Sequence, residues 1–273
     1  MGSYLACAAV VATCSCGRRE FATLTDGAND SFEPVVPVAA YSLNEGGGQT
    51  VSNSIAGGSS VNGVLGNGVS NEVLDPSWVQ GRFGTALDFD ATDDRVSIPY
   101  APSGPFQTSV TNDAITISAW VEPMLPGASY RVVYQIGGES NGATVGLVDT
   151  GQVRFVMRNL NAVQVSKVLD SSMSLGLGAW YYVAGTSDAS GMNLSIYDES
   201  GARLEHASAS GPYTWRTGGD GIAIGDNAAG NSGLRGVLLT GPEPFDGVID
   251  EVRVYLVAIS EAQIEADLGT ALP

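Results

Sequence analysis

A chain of 273 residues has the length of one large or two small domains and is long enough to bury a full core. Its 12 Lys and Arg against 29 Asp and Glu leave a formal net charge of −17, so DNA or RNA is repelled over the whole surface and nucleic-acid binding is excluded. With 36 glycines and only 15% charged residues, the composition is that of short strands joined by tight turns and argues against a helical enzyme.

The 3 cysteines, Cys7, Cys14 and Cys16, all precede residue 17, so the body has neither a disulfide framework nor a cysteine zinc motif. Residues 4–12 form an apolar run that is too short to span a bilayer and long enough for the h-region of an export signal. Val11-Ala12-Thr13-Cys14 is similar to a bacterial lipobox, with Thr13 unusual at its position and no basic region in front. Residues 1–19 therefore read as a signal or lipoprotein-like segment, and a lipid anchor is the only membrane attachment expected. Residues 20–37, with Asp26, Asp30, Glu33, Pro34 and Pro37 in no periodic order, read as an acidic linker. The compact domain is expected over 38–273, in a secreted or cell-surface protein.

Within that domain a first strand is predicted over Val38 to Leu43, then loops from Ser52 to Ser70 with one short strand at Val64-Leu65. Residues 86–90 and 95–98 each alternate with period two around Ala91-Thr92-Asp93-Asp94, which predicts a hairpin. From Ile115 to Glu122 the residues Ile115, Ile117, Ala119 and Val121 share one face, Thr116, Ser118, Trp120 and Glu122 the other, and Pro123 ends the strand. Further strands are predicted over 131–136, 144–148, 152–157, 180–186, 192–197, 222–224 and 248–255. About a dozen short strands at regular spacing indicate an all-β sandwich or barrel. One helix follows, capped by Ser260 with Gln263 reaching back, stapled by Ile259 and Ile264 and stopped at Gly269.

Four blocks carry a family resemblance: 81–90 (GRFGTALDFD), 115–123 (ITISAWVEP), 180–186 (WYYVAGT), and 245–255 (FDGVIDEVRVY) leading into Ala258-Ile259-Ser260-Glu261. In this order and spacing the chain resembles the concanavalin A-like lectin/glucanase superfamily, of the laminin G-like jelly-roll type, from about Val38 to Leu268. The resemblance implies a two-sheet antiparallel jelly-roll sandwich with a short C-terminal helix. It also implies a structural calcium ion (Ca2+), held here by Asp250 near the end of the last strand and by Asn53 and Asn62 of the N-terminal loops. Relatives carry an aspartate where Asn53 stands, so the implied site is one charge weaker.

The catalytic inventory is poor. His206 is the only histidine and lacks an orienting partner in sequence, which predicts a surface role. Glucanases of this fold set three acids on one strand face at every second residue, and no strand here has that pattern. Asp250 and Glu251 are adjacent, so strict alternation sends them to opposite faces. No enzyme is expected, and binding remains. A sugar presents an apolar face and a hydroxyl rim, so its site needs an aromatic platform beside amide and carboxylate groups. The candidates are Tyr213 and Trp215 with Asp226, Asn227 and Asn231, and Trp78 as a second platform. Trp120 and Trp180 read as core or sheet-face residues. The expected partner is a glycan or a cell-surface protein, and self-association of a structural surface protein is the competing expectation.

Overall fold

Period-two alternation of apolar and small side chains builds nearly all of the regular structure. In the computed structural model, residues 33–55, 61–70, 73–99, 106, 111–124, 130–138, 140–162, 166–211, 213–217, 221–227 and 244–273 are described. The strands are β1 (Ala39–Tyr41), β2 (Thr50–Val51), β3 (Gly63–Leu65), β4 (Ser77–Gln80), β5 (Thr85–Asp90), β6 (Val96–Ile98), β7 (Thr111–Asn112), β8 (Ile115–Pro123) and β9 (Arg131–Gly137). They continue as β10 (Asn141–Leu147), β11 (Gln152–Asn159), β12 (Ser166–Ser174), β13 (Tyr181–Ser187), β14 (Gly191–Asp198), β15 (Arg203–Ser210), β16 (Trp215–Arg216), β17 (Ile222–Ile224) and β18 (Asp246–Tyr255). One helix, α1 (Glu261–Leu268), closes the chain, and Pro34–Pro273 form one compact unit.

Two large antiparallel sheets make a sandwich of the expected jelly-roll type. The first runs β15-β14-β13-β8-β18-β5-β4, with β1 also pairing to β18, and the second runs β12-β11-β10-β9-β17-β6-β3-β2. Between them lies the core, to which β8 contributes Ile115, Ile117, Ala119 and Val121, as its alternation predicts. The opposite face of β8 is buried as well. Trp120 packs there with Tyr182, Tyr197 and Tyr255 beneath Ile264 of the helix and Ile259 just before it, its indole donating to the Leu268 carbonyl at 3.2 Å. The Trp120 and Tyr182 rings meet edge to face at 5.4 Å.

Three local expectations are corrected. Strands β5 and β6 are not a hairpin: β5 pairs with β4 and β18 in the first sheet, β6 with β3 and β17 in the second. Residues 91–94 therefore cross between sheets, with Ala91 in the left-handed region (φ 67°) and the Asp94 carboxylate accepting from the Asp90 amide. At α1, Ser260 Oγ does accept from the Gln263 amide, but the Gln263 side chain does not return to the cap. It donates instead to Asp267 and accepts from the Val35 amide, joining the helix to the chain entry. Adjacent Asp250 and Glu251 both turn to the helix-covered face. The β18–β8 register slips between Asp250 and Arg253, Glu251 takes a left-handed φ of 56°, and Val252 returns to the core.

Trp120 is fully buried, so Trp120→Ala is expected to cost about 3–5 kcal/mol of unfolding free energy in denaturant titration. A cost below about 1 kcal/mol would show that the helix does not seal this face.

Candidate ligand-binding groove

The Trp215 cluster is not an open platform. Trp215 is 0% exposed in the core between the sheets, and its indole nitrogen donates to the Ala114 carbonyl at 3.2 Å. Pairing of β16 with β7 draws it inward. Tyr213 is buried too, its hydroxyl donating to Ser210 at 2.7 Å and its ring lying 5.0 Å from the Lys167 ammonium. Asp226 and Asn227 follow β17 and are half-buried, and Asn231 lies outside the described residues. His206 is exposed on β15, with Nδ1 3.0 Å from Ser195 Oγ.

Trp78 is set differently. On β4, the edge strand of the first sheet, it is half-buried and packs one side against the core. Its indole nitrogen donates to the Gly48 carbonyl at 3.2 Å, which fixes the ring. Gly48 can present that carbonyl because it occupies the left-handed region (φ 84°), where a side chain would be strained. Around Trp78 a groove of about 600 Å3 is lined by Gln49, Leu65, Ser70, Asp75, Pro76 and Ser77. The Gln49 amide donates to Asp75 Oδ2 at 2.8 Å, which leaves Gln49 Oε1 and Asp75 Oδ1 buried and without a donor among the described residues. A half-open indole beside one amide and one carboxylate is the arrangement expected for a sugar ring. The Asp75-Pro76-Ser77-Trp78 segment marked it in the sequence, and Gln49 did not stand out.

The residues implied for calcium are each engaged by hydrogen bonds within the protein. Asp250 is fully buried, with Oδ2 accepting from the Phe83 amide at 2.9 Å and Oδ1 unpartnered among the described residues. Asn53 Oδ1 is taken by the Ala40 and Ile55 amides, and Asn62 Oδ1 by the Asn53 amide. With both amide oxygens committed to backbone donors and Asp250 facing the 81–83 turn, this set does not fit a cation needing several oxygen ligands. The described residues include one group of acids that could hold a metal ion, Asp90, Asp93 and Asp94, whose carboxylate oxygens lie within 4.8 Å of one another.

The family model of the concanavalin A-like lectin/glucanases superfamily, in its laminin G form, matches residues 90–265. The chain belongs to that superfamily. No curated protein matches the sequence of this concanavalin A-like domain. Among solved structures it is similar to domain 4 of an extracellular arabinanase from Geobacillus stearothermophilus, in complex with arabinotriose, at 20% identity and a TM-score of 0.58, covering 86% of this chain and 100% of that one. It is also similar to the receptor-binding domain of a botulinum neurotoxin mosaic of serotypes C and D, at 12% identity and a TM-score of 0.55, covering 85% of this chain and 50% of that one. A third is the Trypanosoma rangeli sialidase, at 12% identity and a TM-score of 0.52, covering 84% of this chain and 32% of that one. At these identities the likeness is one of fold, a fold that carries both binding modules and glycosidases.

The buried carboxyls of this concanavalin A-like domain also give it a pH response. Burial pushes Asp250 up to about 7, with the Glu251 charge adding to it, and burial pushes Asp94 and Asp226 up to about 6. Each value lies above that of the same group unfolded, so between about pH 4 and 7 the folded chain holds more protons than the unfolded one. Their contribution is intact below pH 4 and is lost as pH rises through 6 to 7. Asp250→Asn keeps an oxygen for the Phe83 amide and removes the charge. In denaturant titrations at pH 5 and 8 it is expected to be more stable than wild type at pH 8 and to show a smaller fall between the two. An unchanged fall would contradict this account of Asp250.

Proposed function

We propose that this chain is a non-catalytic carbohydrate-recognition module that meets glycans at the Trp78 groove. The observation that carries the reading is the anchored, half-buried Trp78 in a groove whose lining includes Gln49 and Asp75. The fold neighbours support a glycan ligand, since the arabinanase domain is seen with arabinotriose. Export to the cell surface fits the apolar run at residues 4–12.

The absence of chemistry in this reading rests on the acids. Glycoside hydrolysis by the common two-carboxylate route needs one on each side of the scissile bond, and Asp75 is the single acid among the described residues lining the Trp78 groove. The same-face pair that the bulge creates, Asp250 and Glu251, is 0% exposed and offers no approach to a substrate.

Screening on a glycan array, Trp78→Ala is expected to weaken binding at least tenfold, the scale of one lost aromatic stacking contact with its burial. Because Trp78 also touches the core, Gln49→Ala serves as a second variant and is expected to weaken binding several-fold, with circular dichroism showing that it still folds. Wild-type binding that neither variant alters would remove the groove from the reading. Reproducible hydrolysis of any array ligand would overturn the non-catalytic part.

A further inference from the structure

A second groove, of about 490 Å3, opens where the turn after β4 meets the start of β13 and the β14–β15 turn. It is lined by Arg82, Trp180, Tyr181, Asp198, Glu199 and Ser200, and shares no lining residue with the Trp78 groove. Trp180 and Tyr181 are each half-buried, so part of each residue lies in the wall and part remains open. The polar groups around them are held in place without a ligand. The Arg82 guanidinium lies 4.9 Å from the Trp120 ring and 5.2 Å from the Phe83 ring, and donates to the Glu199 carbonyl at 3.0 Å. Asp198 Oδ1 accepts from the Ser200 amide at 2.9 Å, the Ser200 hydroxyl at 2.6 Å and the Ala202 amide at 3.0 Å, which fixes the turn. The Tyr181 hydroxyl accepts from the Gly176 amide at 3.1 Å, and its own hydrogen has no acceptor among the described residues.

Neighbouring aromatic rings beside preset donors and acceptors suit a sugar, whose apolar face stacks and whose hydroxyls both give and take hydrogen bonds. Charge narrows the class of sugar. The Ser200 and Ala202 hydrogen bonds hold the Asp198 carboxyl below the usual range, so it is anionic at neutral pH. Arg82 is the one cation of the lining, and its Nη1 is already 3.9 Å from Glu199 Oε1. A carboxylated or sulfated sugar would set like charge against Asp198 and Glu199 on a chain of net charge −17, and an uncharged sugar would not.

We propose that this groove is a second glycan site and that it takes an uncharged sugar residue. The inference rests on the chain being a glycan module, not on Trp78 being its site. Two grooves with separate linings give the chain two points of attachment, so a branched or densely displayed neutral glycan is held by avidity.

An array carrying matched neutral and acidic oligosaccharides, probed with wild type, Trp180→Ala, Glu199→Ala and Trp78→Ala, tests this. Neutral binding is expected to fall at least tenfold in Trp180→Ala and several-fold in Glu199→Ala, with part of it surviving in Trp78→Ala. Trp180 packs partly against the helix-side cluster, so circular dichroism accompanies that variant, whereas the Glu199 side chain is 65% exposed and can be cut back without unfolding. Neutral binding unchanged in both Trp180→Ala and Glu199→Ala overturns the second site, and if Trp78→Ala alone abolishes binding, the first site stands without it. Loss in Trp180→Ala and Glu199→Ala with Trp78→Ala unaffected supports the second site and removes the first. Stronger binding of acidic than of neutral partners through this groove, or no glycan bound by wild type, also overturns it.

Discussion

The docking of α1 on the outer face of the first sheet decides where this chain can meet a ligand. A face that carries Trp120, Tyr182, Tyr197 and Tyr255 would be a large apolar patch in water, and Ile264 of the helix, with Ile259 in front of its cap, covers it. Polar ties hold the lid in place. The Tyr255 hydroxyl donates to Asp267 at 2.7 Å, Gln263 donates to the other Asp267 oxygen at 2.7 Å, and Arg253 reaches Glu251 at 2.9 Å and the Thr270 carbonyl. The Leu272 amide adds a 2.7 Å bond to Glu251. The bulge at Glu251 makes this possible, because strict alternation would send that carboxylate into the core. Burying such a network is favourable only where its members are paired, and Asp250 Oδ1 and Glu251 Oε1, without a partner among the described residues, are a cost against it.

The outer face of the second sheet is buried where β9 and β10 cross it. Tyr130 lies over Gly146, where a Cβ would come within 2.7 Å of its ring, and its hydroxyl is 3.1 Å from Thr144 Oγ1. Gln135 and Thr144 are 0% exposed. The half-buried tryptophans, Trp78 and Trp180, stand at the β4 edge and the turn end of the first sheet. The other tryptophans, Trp120 and Trp215, are sealed. The grooves thus follow from how the sandwich hides its aromatic surface, and their acidic linings fit the −17 charge of the chain.

Much of the fold was legible because it rests on period-two patterns that one sheet face enforces. The two faces of β8, the strand at 222–224, and the Ser260 cap all came from local residues. What escaped depends on pairing over long distance. A turn such as 91–94 looks alike whether its strands return to one sheet or cross to the other. Strand β12 has a half-exposed, polar pattern with no clear alternation, because as an edge strand it is packed on one side only. The Asp250-Glu251 pair gives no sign of a bulge, since a left-handed glutamate is fixed by its partners rather than by its own preference. Burial of Trp215 and exposure of Trp78 were likewise unreadable. Both are tryptophans in polar, Pro-containing segments, and only the β16–β7 pairing sends one inward while the β4 edge leaves the other half-open.

The most direct test of this division is a 15N-labelled sample titrated with a neutral oligosaccharide found on the array, with the indole N–H signals of the 4 tryptophans followed by NMR. The account predicts that the Trp78 and Trp180 signals move with ligand while those of Trp120 and Trp215 stay fixed and exchange slowly with solvent. Movement confined to Trp120 or Trp215, or binding that moves none of the four, would contradict it.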